Sequence, residues 1–344
     1  MIREAIAKVI AHSDLSEQEM IEVMNEIMGG EATPAQIGSF ITGLRMKGET
    51  VAEITGAARV MREKATRVEA GEGDGVLVDT CGTGGDCSGT FNVSTAAAFV
   101  VAGAGVRVAK HGNRSVSSKC GSADVLEALG VDLGISPAAV GQCIREVGIG
   151  FMFAPALHGA MKYAIGPRRE IGIRTIFNVL GPLTNPAGAN VQVMGVFDPD
   201  LTEKLAQVLG KLGTRRALVV CGEGNLDEIT VTGATNVAEW AEGRVRTYRI
   251  TPESAGLSRA TLDEIKGEGE ATAAAAHLRR ILSGETGPCL DMVLINAGAA
   301  LMAAGRTADL KEGVALARMT VANGAALAKV EELVACSRQG GTRV

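Results

Sequence analysis

The strongest constraint on the fold is an alternation of short apolar runs with helical segments through the middle of the chain. The strand candidates are 76–78, 106–109, 151–153, 191–197 and 216–221. The helical candidates between them are 95–104, 123–129, 138–147, 155–171 and 201–212. This alternation predicts a mostly parallel sheet with helices on both faces. Between residues 229 and 250 the runs ITVTG, VAEWAEG and RVRTYRI predict an antiparallel edge, and helices are predicted from Ala271 onwards.

The first part of the chain has the signals of a helical bundle. Three predicted helix starts carry a capping box, formed by Ser16 with Glu19, Thr33 with Gln36, and Thr50 with Glu53. In a capping box the hydroxyl accepts from the third helical N–H, and the Glu or Gln accepts from the N-cap N–H. We therefore predict a small helical domain over residues 1–70, joined by part of 165–190, and a larger α/β domain over 71–344.

Composition excludes several classes of protein. Of the 344 residues 46% are hydrophobic but only 3% aromatic, so the core must be built mainly from aliphatic side chains. A net charge of −5 and a pI near 5.6 argue against nucleic-acid or membrane-surface binding. The amino terminus lacks the apolar block of a signal peptide, and no run has the length of a membrane span. We expect a cytoplasmic protein with no nucleic-acid and no membrane partner.

Cysteine usage gives no sign of a disulfide framework or a metal site. The seven cysteines are an odd number, and none forms a CxxC pair. Cysteines in a cytosolic protein are usually reduced. We expect free thiols that are buried or line a site.

A stretch without acidic residues follows the first strand candidate. Between Asp86 and Asp124 there is no Asp or Glu. The same stretch holds four cations, Arg107, Lys110, Arg114 and Lys119. Glycines, hydroxyls and cations without a competing carboxylate suit a highly phosphorylated small molecule. We interpret this stretch as a phosphate-binding site.

Three motifs in and beside this stretch could hold phosphate groups. DTCGTGGD at 79–86 brings glycines to the end of a strand, although glycine turns are common there. NVST at 92–95 precedes an apolar helix, where free N–H groups attract anions, although an ordinary N-cap would look the same. KHGNRSVSSKCGSAD at 110–124 is the most specific, because a surface loop would normally mix acids with its bases. Placed on adjacent strand ends, the first two motifs would suit a ligand with two separated phosphate groups.

A second acid-free stretch, 147–169, could bind a carboxylate. One predicted helix there carries His158, Lys162, Arg168 and Arg169. His158 and Lys162 are four residues apart and are predicted to share a face. An arginine fork matches the geometry of a carboxylate.

The adjacent acids Asp227 and Glu228 lie in a predicted turn after a strand. Two interpretations stay open from the residues alone. An adjacent acidic pair is often a solvated turn. Carboxylates combined with substrate phosphates are also the usual ligands of Mg²⁺.

With these motifs in place, the chain resembles the anthranilate phosphoribosyltransferases, enzymes of tryptophan biosynthesis. The family pattern is D-x-x-GTGGD, N-x-S-T, KHGNR-x-x-S-S-x-x-GSAD, FAP…H…M, R-x-x-x-G-x-RT-x-FN-x-LGPL-x-NP and G-x-DE. These motifs lie at 79–86, 92–95, 110–124, 153–161, 168–186 and in the turn holding Asp227 and Glu228. Gly159 stands where the family usually has a proline, a departure that leaves His158 in place.

The resemblance implies a fold of the nucleoside phosphorylase and phosphoribosyltransferase type, and a homodimer formed through the helical domain. It implies transfer of the phosphoribosyl group from 5-phosphoribosyl 1-pyrophosphate (PRPP) to the amine of anthranilate. The products would be N-(5-phosphoribosyl)anthranilate and pyrophosphate. No residue is expected to act as an acid, base or nucleophile, because the neutral amine can attack as pyrophosphate leaves. Positioning and charge stabilisation would supply the catalysis.

The resemblance also assigns residues to each ligand. The donor would be held by Gly82, Gly85, Asp86, Thr90, Asn92, Val93, Ser94, Thr95, Lys110, His111, Gly112, Asn113, Arg114, Ser115, Val116, Ser117, Ser118 and Ser122. Anthranilate would be lined by Gly82, Asn113, His158, Arg168 and Gly181. Up to two Mg²⁺ ions per subunit would be held by Ser94, Asp227 and Glu228.

Two other functions were weighed against this one. A pyrimidine nucleoside phosphorylase shares the fold type and a glycine-rich phosphate loop, but KHGNR and LGPLTNP argue against it. A nucleic-acid-binding relative of the same fold would need a basic face beyond the pocket, which the pI of about 5.6 disfavours.

Overall fold

A seven-stranded sheet forms the centre of the computed structural model, which describes residues 1–71, 75–85, 88–114 and 120–339. The strands are β1 Val78–Gly82, β2 Val108–Gly112, β3 Ile149–Phe153, β4 Val191–Gly195, β5 Arg216–Gly222, β6 Thr235–Ala241 and β7 Arg244–Ile250. Their order is β3-β2-β1-β4-β5-β6-β7. The first five strands run parallel, and β6 and β7 add an antiparallel edge. The predicted mostly parallel sheet with an antiparallel edge is confirmed.

Helices precede, connect and follow the strands. The described α-helices are α1 Ile2–Ile10, α2 Glu17–Gly29, α3 Pro34–Lys47, α4 Val51–Lys64, α5 Val93–Gly103, α6 Ser122–Leu129, α7 Pro137–Glu146, α8 Ala154–Leu157, α9 Lys162–Ile171, α10 Phe177–Leu180, α11 Asp200–Lys211, α12 Ala271–Leu282, α13 Pro288–Ala303, α14 Leu310–Ala322 and α15 Ala325–Gln339. The three predicted capping boxes form at the starts of α2, α3 and α4. Within the part of the chain that the structure describes, no helix is both long and apolar enough to cross a bilayer.

Two large cores sandwich the sheet. One packs α5 and the carboxyl-terminal helices against one face and includes Phe99 and Leu126. The other joins the amino-terminal bundle, through Phe40 and Met24, to α11 and the opposite face. Burying each such side chain stabilises the fold by about 1.5–3 kcal/mol.

One arginine ties the helical bundle to the rest of the chain. Arg62 on α4 donates to the carbonyl oxygens of Leu183 at 2.7 Å and Leu212 at 3.0 Å. Burial lowers the pKa of Arg62 to about 10. In addition, α9 packs on α2 and α3. The domain boundary at residue 70, with part of 165–190 joining the helical domain, stays a prediction.

Several local predictions were wrong, including the bounds of strand β2, which runs over Val108–Gly112 and not over 106–109. The first strand begins at Val78 and runs to Gly82, because Val78 to Gly82 pair in register with Val191 to Gly195. ITVTG forms no strand, because the N–H of Ile229 donates to Asn296 and the N–H of Thr230 to the Thr235 hydroxyl. The helix predicted over 155–171 is broken at His158, whose φ of −116° and ψ of 56° are not helical.

The strand order places a crevice at the middle of the sheet. The chain moves outward from β1 to β2 and β3, then returns to place β4 on the other side of β1. In open α/β sheets, ligands bind beyond the carboxyl ends of the strands where the strand order reverses. Here the strand order reverses between β1 and β4. The predicted glycine motif lies at this point, because it includes the end of β1 and the turn that follows it.

Candidate active site

The glycine turn begins where β1 ends. Gly84 and Gly85 have φ of +66° and +78°, a conformation that side chains disfavour. The N–H of Thr83 donates to the carbonyl of Gly195 at 2.9 Å, which anchors the turn to the end of β4. The N–H of Gly84 donates to Asp227 Oδ2 at 2.7 Å. The turn is therefore held in place by groups from two other strand ends.

The acidic turn after β5 packs directly on this glycine turn. A Cβ on Gly82 or on Gly195 would overlap atoms of Asp227, so both strand ends need glycine to admit the acidic turn. Glu228 Oε1 accepts from the N–H of Ser94 at 3.1 Å, in the first turn of α5. The two carboxylates thus meet the two predicted anion-binding motifs, one carboxylate on each. This contact cannot be read from the sequence, where more than 130 residues separate the partners.

The two anion motifs belong to one connection. NVST starts α5, which follows β1 directly, so the prediction of adjacent strand ends was wrong. Asn92 is the N-cap residue of α5, but its side chain makes no capping hydrogen bond and donates instead to the carbonyl of Cys120 at 3.3 Å. The Cys120 contact links α5 to the 110–124 motif, whose first three residues form the end of the neighbouring strand β2 and do not follow it as predicted.

A buried lysine lies beneath the start of α5. Lys110 Nζ donates to the carbonyl of Thr80 at 2.7 Å and lies 3.3 Å from Ser94 Oγ. Burial lowers the pKa of Lys110, and the negative charge of Asp79 acts against that shift. Burial likewise raises the pKa of Asp79 to about 6, against the effect of Lys110. The ammonium group places positive charge directly behind the predicted metal ligand Ser94.

Two histidines form a neutral pair beside this lysine. His111 Nε2 and His158 Nε2 are 3.2 Å apart, with ring centroids 5.0 Å apart. Burial lowers the pKa of His111 to about 3, helped by His158 and opposed by a hydrogen bond to the Gly181 backbone. Burial alone lowers the pKa of His158 to about 4. His111, predicted for the donor, therefore meets His158 and Gly181, both predicted for anthranilate, in one largely buried and uncharged cluster.

The break at His158 separates it from Lys162. The short helix α8 ends before His158, a single 3₁₀ turn follows at Gly159–Met161, and α9 begins at Lys162. Lys162 is exposed and lies over the ring of Tyr163, whereas His158 is buried. The prediction that these two residues share a helical face was wrong.

Two arginines stack on aromatic rings, and one of them contacts the glycine turn. Arg168 lies 5.1 Å from the ring centre of Phe177, and partial burial lowers its pKa. Arg174 lies 4.2 Å from the ring centre of Phe197 and donates to the carbonyl of Gly85. Sequence reasoning missed Arg174, although it belongs to the RT pair of the 168–186 motif.

A second missed group lies near the starts of β1 and β2, below the candidate site. Asn185 Nδ2 donates to Asp79 Oδ2 and to the carbonyl of Ala109, both at 2.8 Å. The N–H of His111 donates to Asp79 Oδ1 at 3.3 Å. Asp79 and Asn185 thus fix β1 and β2 relative to each other, and their signal was their place at the ends of two motifs.

The remaining predicted donor residues divide into three groups. Asn113 follows β2, and its carbonyl accepts from the Ser122 hydroxyl at 3.2 Å, while Thr90 and Ser88 hydroxyls are 3.2 Å apart. Arg114 is exposed and pairs with Asp124 and Glu127, both at 2.8 Å. The predicted residues Asp86, Ser115, Val116, Ser117 and Ser118 lie outside the described residues.

The chemistry of the carboxylates fits a hard cation. Asp227, Glu228 and Ser94 offer oxygen atoms only, which is the donor set that Mg²⁺ prefers. Thr83 Oγ1 in the glycine turn and Thr95 Oγ1 at the start of α5 are buried polar atoms without a hydrogen-bond partner in the structure. Among the described residues no group of three or more His, Cys, Asp or Glu side chains could hold a metal.

Comparison with known proteins shows which of the three protein families considered from the sequence this chain belongs to. Residues 74–327 match the glycosyl transferase family, a/b domain, and residues 3–65 match the helical bundle domain of the same family. An anthranilate phosphoribosyltransferase from Desulfotalea psychrophila is 62% identical over 335 residues, covering 97% of this chain and 96% of the relative. The chain belongs to the anthranilate phosphoribosyltransferase family. It is an enzyme, and both the fold class and the resemblance predicted from its motifs are confirmed.

Other anthranilate phosphoribosyltransferases agree in sequence and in structure. The enzyme from Geotalea uraniireducens is 58% identical over 346 residues, covering 97% of this chain and 99% of the relative. The crystal structure from Thermus thermophilus matches with a TM-score of 0.92 at 47% identity, over 97% of this chain and 99% of that one. The Saccharomyces cerevisiae enzyme, in complex with PRPP and Mg, matches with a TM-score of 0.88 at 26% identity, over 98% of both chains.

Proposed function

We propose that this enzyme transfers the phosphoribosyl group of PRPP to the amine of anthranilate, giving N-(5-phosphoribosyl)anthranilate and pyrophosphate. The observation that carries the proposal is the joining of both anion motifs by one acidic pair. Asp227 accepts from the glycine turn at 2.7 Å, and Glu228 accepts from the start of α5 at 3.1 Å. The yeast relative, solved with PRPP and Mg and with 4-fluoroanthranilate, supports the same substrates.

The donor site uses backbone amides and a buried cation. In this proposal the phosphate oxygens bind at the glycine turn and the start of α5 through N–H groups other than those of Gly84 and Ser94, which donate to Asp227 and Glu228. Lys110 supports them with positive charge from behind Ser94. Asp227, Glu228 and Ser94 would hold up to two Mg²⁺ ions, which when bound neutralise charge on the pyrophosphate. The other donor contacts proposed from the family pattern remain proposals, including the predicted residues outside the described ranges.

The acceptor site needs orientation rather than proton transfer. The neutral pair His111 and His158, with Gly181, offers an uncharged surface for the anthranilate ring. Arg168 supplies a fork for the anthranilate carboxylate. The aryl amine attacks C1 of the ribose as pyrophosphate leaves, so the enzyme holds the amine near that carbon and excludes water. No side chain is required as a nucleophile.

The proposal includes a homodimer formed through the helical domain. Ile10 on α1 is 65% exposed, and Met46 on α3 is 76% exposed, although both side chains are apolar. Helices α1 and α3 pack on each other, so the two exposed side chains belong to neighbouring helices of the bundle. Exposed apolar side chains on neighbouring helices favour burial against a second subunit. Sedimentation of wild type and of a Met46→Lys, Ile10→Lys variant tests the assembly.

One assay separates the proposed activity from its rivals. Anthranilate fluorescence should fall only when PRPP and Mg²⁺ are both present. Thymidine with inorganic phosphate should give no free base. Labelled DNA should not bind the protein in a filter-retention measurement. Release of base without any loss of anthranilate fluorescence would replace the proposal with a nucleoside phosphorylase. DNA binding without either reaction would replace it with a nucleic-acid-binding function.

A further inference from the structure

Two thiols from distant parts of the chain meet between α7 and α15. Cys143 Sγ and Cys336 Sγ are 2.9 Å apart, although 193 residues separate them in the sequence. Cys143 lies near the end of α7, and Cys336 lies near the end of α15. Both helices are regular at this point, so the contact belongs to helix packing and not to a loop. The proposed transfer reaction uses neither thiol.

The two thiols differ in their access to solvent. Cys336 is half-buried and lines a surface cleft of about 370 Å³ together with Gln142, Glu146 and Glu332. Cys143 is only 1% exposed and lies outside the lining of that cleft. Burial raises the pKa of Cys143 well above its ordinary value, and its hydrogen bond with Cys336 adds to the shift. A dissolved reagent therefore reaches Cys336 first.

The acidic side chains around the cleft favour an uncharged oxidant over an anionic one. Glu146 and Glu332 are the acidic side chains of its lining. Glu332 is paired with Lys329 at 2.6 Å, so the repulsion of anionic reagents such as oxidised glutathione comes mainly from Glu146. A small neutral hydroperoxide meets no such repulsion, and the cleft has room for it.

We propose that Cys143 and Cys336 form a reversible disulfide when a hydroperoxide oxidises the pair. In the first step the Cys336 thiolate attacks a peroxide oxygen, the O–O bond breaks, and hydroxide leaves and takes up a proton as water. Cys336 is then a sulfenic acid. In the second step Cys143 attacks that sulfur, the S–O bond breaks, and the Cys143 proton leaves with the hydroxide as a second water. Two thiols and one H₂O₂ thus give one disulfide and two waters, and a dithiol reverses the change.

The disulfide would join the last described helix to the edge of the sheet. Helix α7 packs on β3, and α15 packs on α5, the helix whose first turn carries Ser94. A crosslink across a long interval of chain removes conformational freedom from the unfolded state. The oxidised protein should therefore resist unfolding better than the reduced protein.

Mass spectrometry of the full-length protein tests the crosslink. The reduced protein is treated with a small excess of H₂O₂, blocked with iodoacetamide, and digested with trypsin without reduction. The expected product links peptide 120–145 to peptide 330–338. Because Cys120 shares the first peptide with Cys143, a Cys120→Ala variant should keep the link and Cys143→Ala should lose it. Cys289→Ala is the matched control, since it removes another half-buried thiol and should leave the link intact.

Thermal unfolding provides a second measurement. Oxidation should raise the Tm of wild type by about 5 °C, and dithiothreitol should reverse the rise. Cys143→Ala should show no such rise, whatever its own Tm. Accumulation of sulfinic acid on Cys336 without a linked peptide would overturn the proposal. A linked peptide that persists in Cys143→Ala would also overturn it, by moving the bond to another cysteine.

Discussion

At the scale of single residues, Asp227 has two tasks that one substitution can separate. Its carboxylate accepts from Gly84 and is also a proposed ligand of Mg²⁺. Asp227→Asn keeps an oxygen for the amide but loses the negative charge. We expect turnover to fall at least about tenfold, or 1.4 kcal/mol of barrier, most clearly at limiting Mg²⁺. Steady-state kinetics across a Mg²⁺ series measure this, with the exposed Asp200→Asn as control. Unchanged turnover at limiting Mg²⁺ would remove Asp227 from the metal site.

Arg168 and Arg174 should affect different substrates. Arg168 is the proposed partner of the anthranilate carboxylate, so Arg168→Ala should raise the KM for anthranilate and leave that for PRPP nearly unchanged. Arg174 holds the carbonyl of Gly85, so Arg174→Ala should loosen the donor turn and raise the KM for PRPP. We expect increases of about tenfold in each case. Arg244→Ala, on the far edge strand, serves as the control.

A crossed result would reverse these assignments. If Arg168→Ala raised only the KM for PRPP, Arg168 would belong to the phosphate side. If Arg174→Ala raised only the KM for anthranilate, its contact with Gly85 would have no part in donor binding. Arg174→Lys tests the stacking separately, since lysine can reach a carbonyl but lacks the planar group that covers Phe197.

The buried histidines make stability depend on pH in a defined window. The pKa of His158 is about 4 in the folded protein, below its ordinary value of 6.5. Between these values the unfolded chain binds a proton that the folded chain does not. The free energy of unfolding therefore falls as pH falls, by about 1.4 kcal/mol per pH unit for this histidine. His158→Gln should flatten the decline between pH 6.5 and 4.

Urea denaturation at several pH values measures the effect of His158. Comparing the slopes of wild type and variant cancels the contribution of Asp79, whose raised pKa acts in the opposite direction. His12→Asn, which removes an exposed imidazole, is the control. Equal slopes for wild type and His158→Gln would contradict a buried, neutral His158.

At the scale of elements, two glycines decide whether the acidic turn can lie against the sheet. A Cβ on Gly195 would overlap the backbone carbonyl of Asp227, which cannot move aside as a flexible side chain could. Gly195→Ala should therefore displace the acidic turn, lower stability by about 1–3 kcal/mol and reduce activity at least tenfold. Gly166→Ala, in a helix with open space around the position, is the matched control. Thermal unfolding and turnover are measured on both. A Gly195→Ala variant with wild-type activity would show that the turn tolerates displacement.

Sequence patterns predicted which elements form better than they predicted where contacts fall. The capping boxes at Ser16, Thr33 and Thr50 formed as expected, because a capping box depends on residues three apart. The start of β1 was displaced by two residues, since its limits are set by pairing with β4, more than 100 residues away.

In the candidate site, too, local features were predicted and contacts between distant residues were missed. Motifs predicted the glycine turn, the start of α5 and the acidic pair, because each is a short local sequence. The break at His158 was missed, since its imidazole is buried against His111 from another strand end. The support given by Asn185 and Arg174 was missed for the same reason, as their partners Asp79 and Gly85 are distant in the chain.

At the scale of the whole molecule, one connection carries both anion motifs, so a ligand with phosphate at each end should bind through both. PRPP with Mg²⁺ should raise the Tm more than pyrophosphate with Mg²⁺ or ribose 5-phosphate at equal concentration. Ser94→Ala, which removes a hydroxyl 3.3 Å from Lys110 Nζ, should erase most of the pyrophosphate share of the shift. It should leave most of the ribose 5-phosphate share.

A thermal-shift series on wild type and variant gives all six values. Ser283→Ala, at the far end of α12, is the matched control and should respond to the three ligands like wild type. If pyrophosphate alone stabilised the protein as much as PRPP, binding through two motifs would be disproved.

The parallel strands give the molecule two poles with different freedom to change. The glycine turn, the start of α5 and the acidic turn lie at the carboxyl pole, where β1, β4 and β5 end. The turn at Gly105 lies at the opposite pole, before β2; it is exposed, and a Cβ there would meet no atom within 4 Å. Insertions at such a turn extend into solvent on the side away from both substrates. The turn at Gly105 can therefore vary in length, or accept a fused reporter domain, while the carboxyl pole keeps its shape.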